Sequence, residues 1–142
     1  MRLTKPRIAP VQDAQLNDEQ KEILAPMGDR VLNIFRTMVG APKAAKGFLA
    51  WGNYVLSKKN DLPAREREIV ILRIGYLCKS GYEWTQHVPI GQRAGLTDDE
   101  VARIKGGADA GGWSAADQAL LAASDELHHD QFITDATWSA LK

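Results

Sequence analysis

The sequence predicts an all-α fold, and three observations carry that prediction. Apolar residues recur at helical spacing, as in Val31, Ile34, Phe35 and Met38, which fall at i, i+3, i+4 and i+7. Helix-capping residues stand three positions before Gln or Glu at Asn17, Ser80 and Thr97. The segment from Pro63 to Lys79 is far longer than a typical strand. Together they predict roughly seven or eight helices. These fill a single domain over residues 17–142, with an extended arm over residues 1–16 where Pro6 and Pro10 interrupt any period.

The elements follow in order. Asn17-Asp18-Glu19-Gln20 opens a short helix that Pro26 and Gly28 close. The second helix carries Val31 to Met38 and is punctuated by Gly40 and Pro42. Phe48, Trp51 and Val55 continue the spacing as far as Lys58-Lys59-Asn60, where cations meet the negative end of the helix dipole. Pro63 suits a first helical turn, because the N–H it lacks has no partner there anyway. Ile69-Val70-Ile71-Leu72 alone reads as a buried strand by its β-branched content. Length and the four charges of Arg65-Glu66-Arg67-Glu68 decide for a helix over 63–79, buried on most of its circumference. Ser80-Gly81-Tyr82-Glu83 reads as a capping box for a helix over 82–94 that stops at Gly95, with Pro89 as a break in its hydrogen-bond ladder. A cleaner box at Thr97-Asp98-Asp99-Glu100 starts a short helix ending at Gly106-Gly107, and Gly106 to Gly112 reads as a loop. Ser114 caps a helix with Ala116, Ala119, Leu120, Ala123 and Leu127 on one face, and Thr134 starts the last.

Composition narrows the function. A chain of 142 residues buries roughly 68–70% of its unfolded surface, enough for a real core. Its 18 basic and 18 acidic side chains balance to +0, leaving no field to gather nucleic acid or coat an anionic membrane. The single Cys78 excludes an internal disulfide framework, a four-cysteine zinc site and an intrachain dithiol pair. No apolar run approaches the ~20 residues of a membrane span. Met1-Arg2-Leu3-Thr4-Lys5-Pro6 carries no apolar signal core. A soluble, cytoplasmic protein is expected.

The residues that carry chemistry lie between Glu68 and His87. Glu83 and His87, at i and i+4, share one helix face. A short link at Lys79-Ser80 folds the two helices into a hairpin, which gives Glu68 a route to His87. A carboxylate among Ile and Leu side chains loses solvation, and a neighbouring imidazole can exchange a proton with it. Two carboxylates and a histidine in an apolar pocket form a general acid/base set near neutral pH.

Plainer readings stand beside this one. Glu83 also fits as the capping partner of Ser80, and Glu68 as a surface partner of Arg65 or Arg73. His87, three residues after Trp84, also fits as a structural histidine, and the Glu83/His87 pair as two metal ligands. His128-His129-Asp130 sits where it answers a helix dipole. Cys78, near a helix C-terminus among apolar neighbours, is expected to be a buried, inert thiol.

Three stretches resemble the carboxymuconolactone decarboxylase family, whose superfamily also holds the AhpD-type alkylhydroperoxidases. They are Leu62-Pro63-Ala64-Arg65-Glu66-Arg67-Glu68, Tyr82-Glu83-Trp84-Thr85-Gln86-His87 and Arg93-Ala94-Gly95-Leu96-Thr97. The peroxidase branch carries Glu, eleven residues, Cys, two residues, Cys, three residues, His. Glu68, Ser80, Glu83 and His87 stand at those spacings, so the Glu and His match while Ser80 and Glu83 replace both cysteines. Cys78 is two residues out of register with the first. The decarboxylase branch has Glu-x-x-x-His in this helix, as Glu83 and His87 do. The resemblance implies an AhpD-like helical unit built on a hairpin, assembled into trimers, hexamers or related rings with pockets near subunit contacts. It also implies a further long helix beyond Lys142, and so a chain cut short there.

Three functions are weighed. The leading one is acid/base chemistry, decarboxylation or a related lyase or isomerase step, on a small carboxylated or lactone-like metabolite. Glu68 and His87 shuttle protons, Glu83 is the second carboxylate, and Ser80, Cys78, Tyr82 and Trp84 are secondary site residues. Nothing in the sequence requires a metal or an organic cofactor. The second is an alkylhydroperoxidase-type oxidoreductase, for which the lone thiol needs a resolving partner from elsewhere. The third is a non-catalytic oligomeric module that binds a small ligand.

Overall fold

A computed structural model describes residues 4–142, so the first three residues of the expected arm lie outside the described part. The described residues are all-α, with eight α-helices and no strand. They divide into two compact units, one ending at Asn60 and one beginning at Asp61. That boundary falls at the polar stop after Lys58-Lys59, within the 17–142 stretch that the sequence treats as one domain.

The first unit holds α1 (Asp18–Leu24), α2 (Asn33–Met38) and α3 (Pro42–Val55). The capping box at Asn17 forms: its Oδ1 accepts the Gln20 N–H at 2.9 Å, and Gln20 Oε1 accepts the Asn17 N–H at 3.0 Å. Ile23, Leu24, Val39 and Ala45 form a small core, joined by Val11 and Leu16 from the arm. The arm is therefore stitched down rather than free of structure. A 3-10 turn at Asp13–Gln15 and a Val11 N–H to Arg36 carbonyl bond of 3.2 Å hold it.

The second unit holds α4 (Ala64–Leu77), α5 (Gly81–Arg93), α6 (Asp98–Ile104), α7 (Ala115–His129) and α8 (Asp135–Ala140). The expected Gly-rich loop contains a 3-10 turn at Gly107–Ala110. α4 is the central element and packs against both α5 and α7. Its strand-like stretch is helical, with Ile69 and Leu72 fully buried on one face. Leu96, Val101, Ile104 and Leu121 complete that core. Arg65 on α4 binds Asp117 of α7 at 2.9 Å and also Glu100 of α6. Further along, Arg73 Nε meets Asp125 of α7 at 2.6 Å, while its Nη1 donates to the carbonyls of Ile104 and Lys105. No helix among the described residues is long and apolar enough to cross a membrane.

The turn from α4 into α5 closes as a Schellman motif. The Ser80 N–H donates to the Gly75 carbonyl at 2.8 Å and the Lys79 N–H to that of Tyr76 at 2.9 Å. Lys79 itself takes φ +55°. The predicted Ser80–Glu83 capping box does not form. Ser80 has ψ 86°, and its side chain makes no cap bond, whereas Asn17, Thr97, Ser114 and Thr134 have ψ between 155° and 173° and all cap. At ψ 86° the Ser80 hydroxyl is not aimed at the N3 amide, so Glu83 has no reciprocal partner there. Accordingly Thr97→Ala is expected to destabilise the unit by about 1 kcal/mol and Ser80→Ala by a few tenths, measured by urea denaturation.

Candidate acid/base site

His87 is held between two carboxylates. Its Nδ1–H donates to Glu68 Oε2 at 2.7 Å, and its Nε2 lies 3.2 Å from Glu83 Oε1. The three side chains differ sharply in exposure: Glu68 1%, His87 12% and Glu83 42%. The three side chains therefore run from a carboxylate sealed in the α4–α5 interface, through the imidazole, to a carboxylate in contact with solvent.

Local sequence explains the arrangement. Glu83, His87 and Gly91 fall at i, i+4 and i+8 and so share one face of α5. Gly91 has no side chain where a Cβ would meet Leu96 at 2.8 Å and Glu68 and Leu72 at 3.5 Å. Its absence lets α5 settle close over Glu68. The i+8 glycine on the Glu/His face was the available sequence signal for this close approach, and spacing arguments confined to charged residues missed it. Both surface partners weighed for Glu68 are engaged elsewhere, Arg65 with Asp117 and Glu100 and Arg73 with Asp125.

The imidazole pKa is raised above the ordinary histidine value. The hydrogen bond to Glu68 is the largest cause, opposed by burial, with the charges of Glu68 and Glu83 adding to it and Arg67 working against it. The site thus favours the imidazolium more than water does. A histidine whose folded pKa exceeds its unfolded one adds stability below about pH 6.5 that is lost as pH rises through the folded value. Thermal melts should show a stability decline on that alkaline limb, and His87→Gln should flatten it.

The secondary residues separate around this core. Glu83 and Ser80 line a shallow hollow of about 370 Å³ with Val70, Ile71, Ile74 and Cys78. Cys78 is exposed, which corrects the expectation of a buried thiol. It caps the C-terminal end of α4, where the chain turns away to α5, and its Sγ lies 3.8 Å from Nδ1 of His128 at the end of α7. Trp84 packs partly against the core, while its ring faces a second hollow beside Tyr76. Tyr82 lines neither hollow. His128 and His129 do occupy the last turn of α7. Among the described residues no group of three or more His, Cys, Asp or Glu side chains has a metal-holding arrangement.

No curated protein and no solved structure matches the chain significantly. Residues 42–125, from the start of α3 to within α7, match the carboxymuconolactone decarboxylase family. That match takes in Glu68, Glu83 and His87 and covers more than half of the sequence, so the chain belongs to the carboxymuconolactone decarboxylase family.

Proposed function

We propose that the protein is an acid/base enzyme acting on a small carboxylated or lactone-like metabolite, with decarboxylation as its reaction. The observation that carries this reading is the histidine clamped between a buried and an exposed carboxylate. Glu68 fixes the Nδ1 tautomer and keeps the ring basic, and Glu83 passes protons between Nε2 and the hollow it lines. The apolar walls of Val70, Ile71 and Ile74 favour loss of charge from a bound carboxylate. When the C–CO₂ bond breaks, its electron pair is delocalised through the ring C=C into the lactone carbonyl, giving a dienolate. The Nε2 proton of His87 then passes through the Glu83 carboxylate to the enolate carbon beside that carbonyl, and solvent restores it.

Assembly into a ring of copies belongs to the same reading. Family membership and the exposed Phe132 and Trp138 support it, and light scattering on the purified chain measures it.

One observation favours a second reading. The exposed Cys78 thiol near His128 suits a peroxidase in which the thiolate attacks a hydroperoxide, giving sulfenate and alcohol, and a small external thiol restores it. Incubation with γ-carboxymuconolactone, followed by CO₂ release and by NMR, tests the first reading. Saturable turnover that Cys78→Ser leaves within a few-fold of the parent is the expected result. If that substrate and related lactone acids are untouched while Cys78 consumes hydroperoxide, the second reading replaces it.

A further inference from the structure

The second hollow, beside the candidate acid/base site and outside it, has a volume of about 530 Å³, within the usual range for small-molecule sites. Tyr76 and Trp84 provide aromatic walls, their ring centroids 6.0 Å apart and their planes at 60°. Its only charged lining residues are Lys79 and Lys105. Neither ammonium has a carboxylate within ion-pair distance among the described residues, and that of Lys105 stands 5.2 Å from the centre of the Trp84 ring. The acidic members of the acid/base site, Glu68 and Glu83, do not line it. The hollow thus has an aromatic wall, two cations without a carboxylate partner, and no anion in its lining.

Lys79 supplies an independent observation. It occupies the left-handed position of the Schellman turn at φ +55°, a place where glycine or asparagine is far more comfortable. A lysine there works against the local backbone while putting its side chain into the wall of the hollow. Local stability is given up at the position that adds the cation.

We propose that this hollow is a binding site for a free, small, planar carboxylate, an aromatic or conjugated acid. The ligand ring lies against the wall that the paired Tyr76 and Trp84 rings form together, and the carboxylate meets Lys79 and Lys105. The site does not depend on the decarboxylase reading, because it uses none of Glu68, Glu83 and His87.

Isothermal titration of the full chain with trans-cinnamate tests it, with neutral cinnamamide as the matched control. Saturable binding with Kd at or below about 1 mM is expected for the acid, at least tenfold weaker for the amide, and weakening as salt is raised. Lys105→Gln should lose about tenfold. Lys79→Gly separates a ligand role from a folding role: it should weaken cinnamate about tenfold while its melting temperature stays equal to the parent's or rises. Absence of saturable binding, or equal binding by the amide and by both lysine variants, would overturn the proposal. So would a Lys79→Gly protein that melts lower than the parent.

Discussion

Glu68→Gln is expected to lower turnover about 10²–10⁴-fold while leaving the fold intact. Glutamine keeps an oxygen to accept the Nδ1–H of His87 and nearly the same volume, so packing around the 1% exposed side chain is preserved. What disappears is the negative charge, and with it most of what holds the imidazole pKa above its ordinary value. Two readouts follow. The His87 titration, monitored by NMR, should move down in pH, and CO₂ release from γ-carboxymuconolactone should collapse at every pH. A variant whose histidine titrates as in the parent, or one that turns over at the parental rate, would remove Glu68 from the machinery. His87→Ala should lose as much, since it removes the imidazole that Glu68 orients and that supplies Glu83 with its proton.

The second large effect concerns stability. Gly107→Ala should destabilise the unit by about 3 kcal/mol or more and lower its melting temperature by roughly 10–20 °C. Gly107 sits at φ +69°, where a side chain costs about 1–2 kcal/mol on backbone grounds alone. A Cβ there would also stand 2.6 Å from Arg73 Nη2 and 2.8 Å from Asp125 Oδ2. The methyl group can enter only by parting the Arg73–Asp125 pair, in which Arg73 is buried and Asp125 partly exposed, and about 3–5 kcal/mol is the upper end of that cost, reached by fully buried pairs. Gly111→Ala is the control, because Gly111 has nearly the same φ of +71° but nothing within 4 Å of its Cβ position. Calorimetric melts that show the two variants equally mild would mean the Arg73–Asp125 pair yields easily.

Much of this was visible in the residues themselves, for physical reasons that differ by element. Asn17 and Thr97 cap as expected because a capping box is settled within four residues of chain. Ile69 to Leu72 could be assigned to a helix despite their β-branching, because Pro63 and the length of the segment outweigh local propensity. Convergence of Glu68 with His87 was open to inference, since a short link leaves a hairpin little freedom. Ser80 misled because its residue type fits a cap while the Schellman turn before it sets ψ elsewhere. The exposure of Cys78 depends on how the end of α7 passes the end of α4, and a contact 50 residues apart leaves no local trace. The Gly107 constraint is of the same kind, imposed by an arginine 34 positions earlier in the chain.

The unequal exposure of the two carboxylates around His87 also gives its two ring protons different lifetimes. The one on Nδ1 is sealed against Glu68 and exchanges with solvent only when α4 and α5 part. The one facing Glu83 is refreshed continually through a carboxylate that water reaches. In heavy water, the hydrogen delivered to a product carbon would therefore be deuterium from the first turnover, while the ring still carried its original proton on the inner nitrogen. The inner position acts as a fixed anchor for the ring's orientation, and isotopic traffic enters and leaves by one end.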